Sequence, residues 1–148
     1  MSSAADAIAA GARAESRVWA SALRDGAVWE PVFSPLAPPE LALGLETVYE
    51  AYLVHYGTPR LFDPPDRDEA VLLGDYLYAH GLVRVAEAGG VRAVATMAEL
   101  ISRCAALRAD GSEGDGEAWL AAAVELGGAP TPDETRIALA RHFARVAA

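Results

Sequence analysis

AVLLGDYLYAHGLV, residues 70–83, is apolar around most of a helical circumference. Val71, Leu72, Leu73, Tyr76, Leu77, Leu82 and Val83 leave only a narrow polar strip, the pattern of a helix enclosed by protein, so this helix is expected to be central. Asp66 followed by Glu69 is a capping-box-like start, which predicts a helix over 66–86. Gly74 and Gly81 lie seven apart and therefore on nearly the same face. Each costs about 1 kcal/mol against Ala inside a helix, so close packing or the approach of a ligand is expected to compensate.

Helical patterning continues on both sides. Upstream, Leu41, Leu45, Val48, Tyr49, Tyr52, Leu53 and Tyr56 recur at spacings of three and four. They predict a helix over 39–56, with Pro39 in its first turn and Gly57 as its stop. Residues 27–39 (AVWEPVFSPLAPP) hold four prolines, which lack N–H donors. They read as an extended strap anchored by Trp29, Val32, Phe33 and Leu36. A first helix, capped by Ser2 or Ser3 with Asp6 in its first turn, is expected to run to Arg24 and end at Asp25-Gly26. Downstream, Gly89-Gly90 breaks the chain before a helix over 91–109, marked by Val94, Met97, Ile101 and Cys104. The acidic, glycine-rich residues 111–116 read as a flexible turn, followed by a helix over 117–126. Thr131-Pro132-Asp133-Glu134 supplies a cap, a first-turn proline and an N3 glutamate for a last helix. No strand pattern competes. The expectation is an all-α bundle of about six helices, a single domain over 1–148 with 27–39 as connector.

Composition narrows the chemistry. The 148 residues carry 33 Ala and 12 Arg, with no Lys, Asn or Gln. Lysine Schiff bases and P-loops are therefore excluded, as are Cys-His-Asn protease triads. A net charge of −9 leaves no basic footprint for nucleic acid. The single Cys104 excludes an internal disulfide and reads as a small buried hydrophobe. No run reaches the roughly 18–20 apolar residues of a membrane span, and Met1-Ser2-Ser3-Ala4 opens no secretory signal. A cytoplasmic protein is expected. His55, His80 and His142 show no metal-ligand spacing. The acids Asp63, Asp66, Asp68 and Glu69 lack the pattern of a calcium loop. Glu46 and Glu50, four apart, stack on one helix face. They form either a solvated face or a pair able to hold a hard cation such as Mg²⁺. Asp75 stands beside Tyr76 on the otherwise apolar helix.

Residues 70–83 resemble the Leu-x-Gly-Asp-Tyr/Ala-Leu segment of the trans-isoprenyl diphosphate synthases, all-helical enzymes that join an allylic diphosphate to isopentenyl diphosphate. The likeness extends without a gap toward the N-terminus. Glu46-Thr47-Val48-Tyr49-Glu50 falls on that family's first Asp-Asp-x-x-Asp motif, and His55-Tyr56-Gly57-Thr58-Pro59-Arg60 on its Arg-Arg-Gly-x-Pro-Thr loop. Residues 118–128 (AWLAAAVELGG) are similar to the segment after its Lys-Thr pair, and the resemblance spans about 41–145. The departures are as informative. Two Glu stand where three Asp are needed, His55-Tyr56 replaces the diphosphate-binding Arg pair, and the sequence stops near the second aspartate motif.

That combination resembles the small, non-catalytic component I of heptaprenyl diphosphate synthase. The resemblance implies an accessory subunit with no catalytic residue of its own. Its partner would be a catalytic polyprenyl synthase subunit or a second copy of itself. It implies Glu46, Glu50, Arg60, Asp75 and Tyr76 as ligand-binding positions, with Mg²⁺ on Glu46 and Glu50 and a prenyl diphosphate as ligand. It implies Tyr49, Tyr52, Leu73, Leu77 and Leu82, together with Tyr56 and Tyr78, as tunnel wall or interface. The alternatives are a stand-alone binder of prenyl diphosphate or another apolar ligand, and a homodimeric relic of the synthase fold.

Overall fold

A computed structural model describes residues 3–147. The helices are α1 (Ser3–Glu15), α2 (Arg17–Ser21), α3 (Ala42–Tyr56), α4 (Arg67–Ala109), α5 (Asp115–Glu125) and α6 (Pro132–Val146). Short 3₁₀ turns at Ser34–Leu36 and Pro39–Leu41 lead into α3. The protein is an all-α bundle, with no β-strand among the described residues. The cap expected from Ser2 or the Ser3 hydroxyl lies outside what is described. No helix among the described residues is long and apolar enough to cross a membrane.

The helix expected to reach Arg24 is instead divided. Ser16 is extended (φ −165°, ψ 146°), and its Oγ accepts from the backbone N–H groups of Val18 and Trp19, so it restarts the chain as α2. A serine hydroxyl competing for backbone donors breaks a helix in this way. After α2, Arg24 N donates to Leu61 O and Asp63 N to Ala22 O, both at 2.7 Å, which ties the N-terminal region to the segment after α3. In the proline-rich stretch Val32, Phe33 and Leu36 are buried, and the Phe33 ring stacks 5.4 Å from Trp119 of α5.

The central helix is α3, not the stretch at 70–83. Every residue of α3 from Gly44 to Val54 is buried, whereas α4 leaves Val71, Leu72 and Val83 about half exposed. The polar residues that make α3 look amphipathic, Glu46, Thr47 and Glu50, are hidden together with their partners, so the helix needs no wet face. The glycines behave as the pattern predicts. A Cβ on Gly81 would meet Val48 Cγ2 at 2.5 Å, and one on Gly74 would overlap the His55 ring. Small residues on α4 thus bring its backbone against α3.

The helices expected over 66–86 and 91–109 are the two arms of α4. Gly90 leaves helical angles altogether (φ 72°, ψ −166°), so the expected break is present and α4 is two helical arms joined at a sharp kink. Asp66 caps α4 through Glu69 N at 2.9 Å. Thr131 and Glu134 form the capping box of α6. α5 begins at Asp115, two residues earlier than predicted, which draws that side chain out of the expected flexible turn and into the protein.

Candidate functional site

Glu46 and Glu50 sit one turn apart on α3, and the chain leaving that helix folds back over them. Its Arg60 enters between the two carboxylates. Arg60 Nε donates to Glu50 Oε1 at 2.9 Å, and Nη1 donates to Glu46 Oε1. Nη1 also reaches Glu30 O at 3.0 Å, and Nη2 reaches Glu46 O at 3.3 Å. Glu50 Oε2 accepts from the backbone N–H of Arg60 and of Leu61 at 3.0 and 2.8 Å. The Trp29 ring lies 4.0 Å from the guanidinium carbon, closing the other face as a cation–π lid. Side-chain exposure is 0% for Arg60, 2% for Glu46 and 0% for Glu50, so water screens none of this. Burial works against the guanidinium charge, but the two carboxylates outweigh it and hold the Arg60 pKa above its ordinary value.

This geometry does not fit Mg²⁺. The cation between the carboxylates is the guanidinium itself, and both Glu50 oxygens are occupied. Only Glu46 Oε2 has no partner. Mg²⁺ demands near-octahedral oxygen ligation, which one enclosed oxygen does not provide. Among the described residues no group of three or more His, Cys, Asp or Glu is arranged to hold a metal ion.

Of the other positions singled out in the sequence, Asp75 and Tyr76 do not join Glu46, Glu50 and Arg60. Asp75 is exposed, with Oδ1 3.4 Å from His55 Nε2. Tyr76 packs on Trp19 and His80, with ring centroids 5.8 and 4.4 Å away. Tyr49, Tyr52, Leu73 and Leu77 are buried in this chain's own core, and Leu82 packs partly buried against it. They fill the protein rather than line a tunnel or a face offered to a partner.

A second polar cluster is not legible in the sequence. Tyr52 donates a hydrogen bond to Asp115 Oδ2. Arg108 Nε donates to the same oxygen at 2.8 Å, and Arg108 Nη2 donates to the Tyr52 hydroxyl at 2.7 Å. Burial first, then the Asp115 hydrogen bond, raises the Tyr52 pKa far above its usual value, so the phenol stays protonated. Beside it, Tyr49 Oη lies 2.9 Å from His142 Nδ1. Burial lowers the His142 pKa to about 4 and keeps the ring neutral near pH 7. Of these groups Arg108, Asp115 and His142 line an open cavity of about 440 Å³ between the start of α5 and the end of α6. Cys104 is buried, and desolvation pushes its thiol up to about 12.

The sequence signal for this cluster is thin. Arg108 and Asp115 lie seven apart across a glycine turn, but Tyr52 is 63 residues from Asp115. Compared with known proteins, the chain matches no protein-family model, no curated protein and no solved structure.

Proposed function

We propose that this chain is a non-catalytic accessory subunit of a polyprenyl diphosphate synthase, lending apolar surface to a catalytic subunit. The observation that supports the reading best is Arg60. Where the resembling synthases need open carboxylates for metal-bound diphosphate, Glu46 and Glu50 are enclosed and neutralised by a guanidinium from the same chain. A fold that commits those carboxylates to its own stability has no use for them in ionising an allylic substrate. The surface available to a partner is then the outer face of α4 before Gly90, where Leu72 and Val83 are 60% and 55% exposed. The aromatic residues of α3 are not part of it.

The test is affinity purification of the tagged chain from its native cells after crosslinking, with mass-spectrometric identification. The expected partner is a chain carrying both Asp-Asp-x-x-Asp motifs, and the reconstituted pair is expected to elongate isopentenyl diphosphate. Recovery of this chain alone, or prenyl elongation by the purified chain without a partner, overturns the proposal.

A further inference from the structure

Asp-Gly pairs stand at Asp25-Gly26, Asp110-Gly111 and Asp115-Gly116. Such a pair is prone to one intramolecular reaction, because glycine has no side chain to crowd the ring that forms. The glycine amide nitrogen attacks the carbon of the protonated side-chain carboxyl. A C–N bond forms, and the carboxyl OH leaves with the amide proton as water, giving a five-membered succinimide. Water then opens the imide, and opening at the α-carbonyl leaves isoaspartate. The net change is an isomerisation that needs no oxidant or co-reactant. Whether the nitrogen can reach the carbon separates the three pairs.

Asp115 is held away from its neighbour. Its side chain is 7% exposed, Oδ2 accepts from Tyr52 and Arg108, and both residues stand in the first turn of α5. At Asp110-Gly111 the attacking nitrogen is committed. Gly111 N donates to Arg108 O at 3.2 Å, and Ser112 N fixes the turn on Leu107 O at 2.9 Å. Asp25 and Gly26, by contrast, are both exposed. Among the described residues neither the Asp25 carboxyl nor the Gly26 N–H has a hydrogen-bond or ion-pair partner. Gly26 has φ 63° and open space where a Cβ would stand, so nothing crowds the rotation that closes the ring.

This turn belongs to an arch pinned at both ends. Arg24 N donates to Leu61 O at 2.7 Å, and Arg60 Nη1 donates to Glu30 O at 3.0 Å, with the Trp29 ring over the guanidinium. Isoaspartate routes the main chain through the side-chain carbons and lengthens it by one methylene between those pins.

We propose that Asp25 is a spontaneous modification site, which converts to isoaspartate through a succinimide with Gly26, and that the lengthened chain slackens the arch carrying Trp29 across Arg60.

The experiment is timed incubation of the purified full chain at pH 7.4 and 37 °C. Proteolysis and electron-transfer fragmentation then distinguish isoaspartate from aspartate at each pair. Isoaspartate is expected to accumulate at position 25, with a minor form lighter by one water. Asp110 is expected to convert about fivefold more slowly, the cost of releasing a neutral hydrogen bond. Asp115, whose bonds are charge-assisted, is expected to be at least about tenfold slower. Asp25→Glu, on an exposed and unpartnered side chain, is expected to keep the fold and to stop the reaction there, since a six-membered imide closes far more slowly. In the isolated isomerised protein the Arg24 amide proton is expected to exchange about fivefold faster than in the parent. Conversion at Asp25 no faster than at Asp115 overturns the proposal. So does no conversion over a period in which half of a synthetic peptide of residues 21–30 isomerises. Unchanged exchange at Arg24 in the isomerised protein overturns the slackening of the arch.

Discussion

Replacing Arg60 by Leu removes the one cation between two enclosed carboxylates. The guanidinium makes hydrogen bonds to both Glu46 and Glu50, and neither carboxylate has more than 2% side-chain exposure. Removing one partner of a buried ion pair costs about 3–5 kcal/mol, because the remaining charge is left uncompensated. Here two charges are stranded, which places the loss near 5 kcal/mol at neutral pH, a large share of a stability of about 5–15 kcal/mol. The loss has a pH signature. Stranded buried carboxylates have raised pKa values, so they take up protons in the folded state more readily than in the unfolded one. The deficit relative to the parent protein therefore shrinks as pH falls. Arg60→Lys keeps the charge but loses the fork that reaches both carboxylates, and recovers only part of the loss. Urea denaturation of the parent and both variants at pH 7.5 and 5.5 measures these differences. A cost below about 1 kcal/mol, or a deficit that does not change with pH, refutes the argument that the cluster is a buried and mutually neutralised unit.

Three further outcomes follow from other parts of the molecule. His142 is held at about 4 against an ordinary 6.5, so the unfolded chain binds the extra proton between those values. Its contribution, roughly 3 kcal/mol, is present above pH 6.5 and lost as pH falls toward 4, and His142→Gln flattens that part of a stability–pH curve. Gly81→Ala gains helix propensity but drives a Cβ against Val48 Cγ2 and to 3.0 Å from its backbone nitrogen; a net loss of about 1–3 kcal/mol in chemical denaturation is expected. Cys104 resists a thiol reagent at pH 8 in the native protein and reacts on denaturation, since burial holds its thiol near 12, which a timed alkylation assay reads directly.

Signals carried by neighbouring residues are legible in the sequence. The Asp66 cap, the Thr131–Glu134 capping box and the close approach at Gly74 and Gly81 each depend on spacings within a turn or two. The sequence misleads where distant partners decide. Glu46 and Glu50 are visible as a stacked pair, but nothing local says that Arg60, past a turn and two loop residues, folds back to neutralise them. That hidden pairing also makes α3 look less buried than it is and the 70–83 stretch look more so. Asp115 reads as part of a flexible turn because its neighbours are glycines and acids, whereas Tyr52 and Arg108 pull it inside. Ser16 and Gly90 show the limit from the other direction. A serine at the surface of a helix and a glycine within one are both common, so the residue type alone does not announce that the Ser16 hydroxyl takes the backbone donors of Val18 and Trp19 or that Gly90 adopts a left-handed φ.

α4 is shared by both apolar clusters of the protein. Leu73 and Leu77 belong to one, Ala93, Met97, Leu100 and Cys104 to the other, and Tyr78 packs against both. Gly90 is the one residue in the helix with non-helical angles. The arm before that kink already reaches both, through Leu73 and Leu77 on one side and Val85 on the other, so neither cluster melts without withdrawing support from the other. Amide protons of the arm before Gly90, which serves both clusters, should exchange with solvent only through global opening. The five-residue α2, which buries none of its side chains, is left to fray on its own.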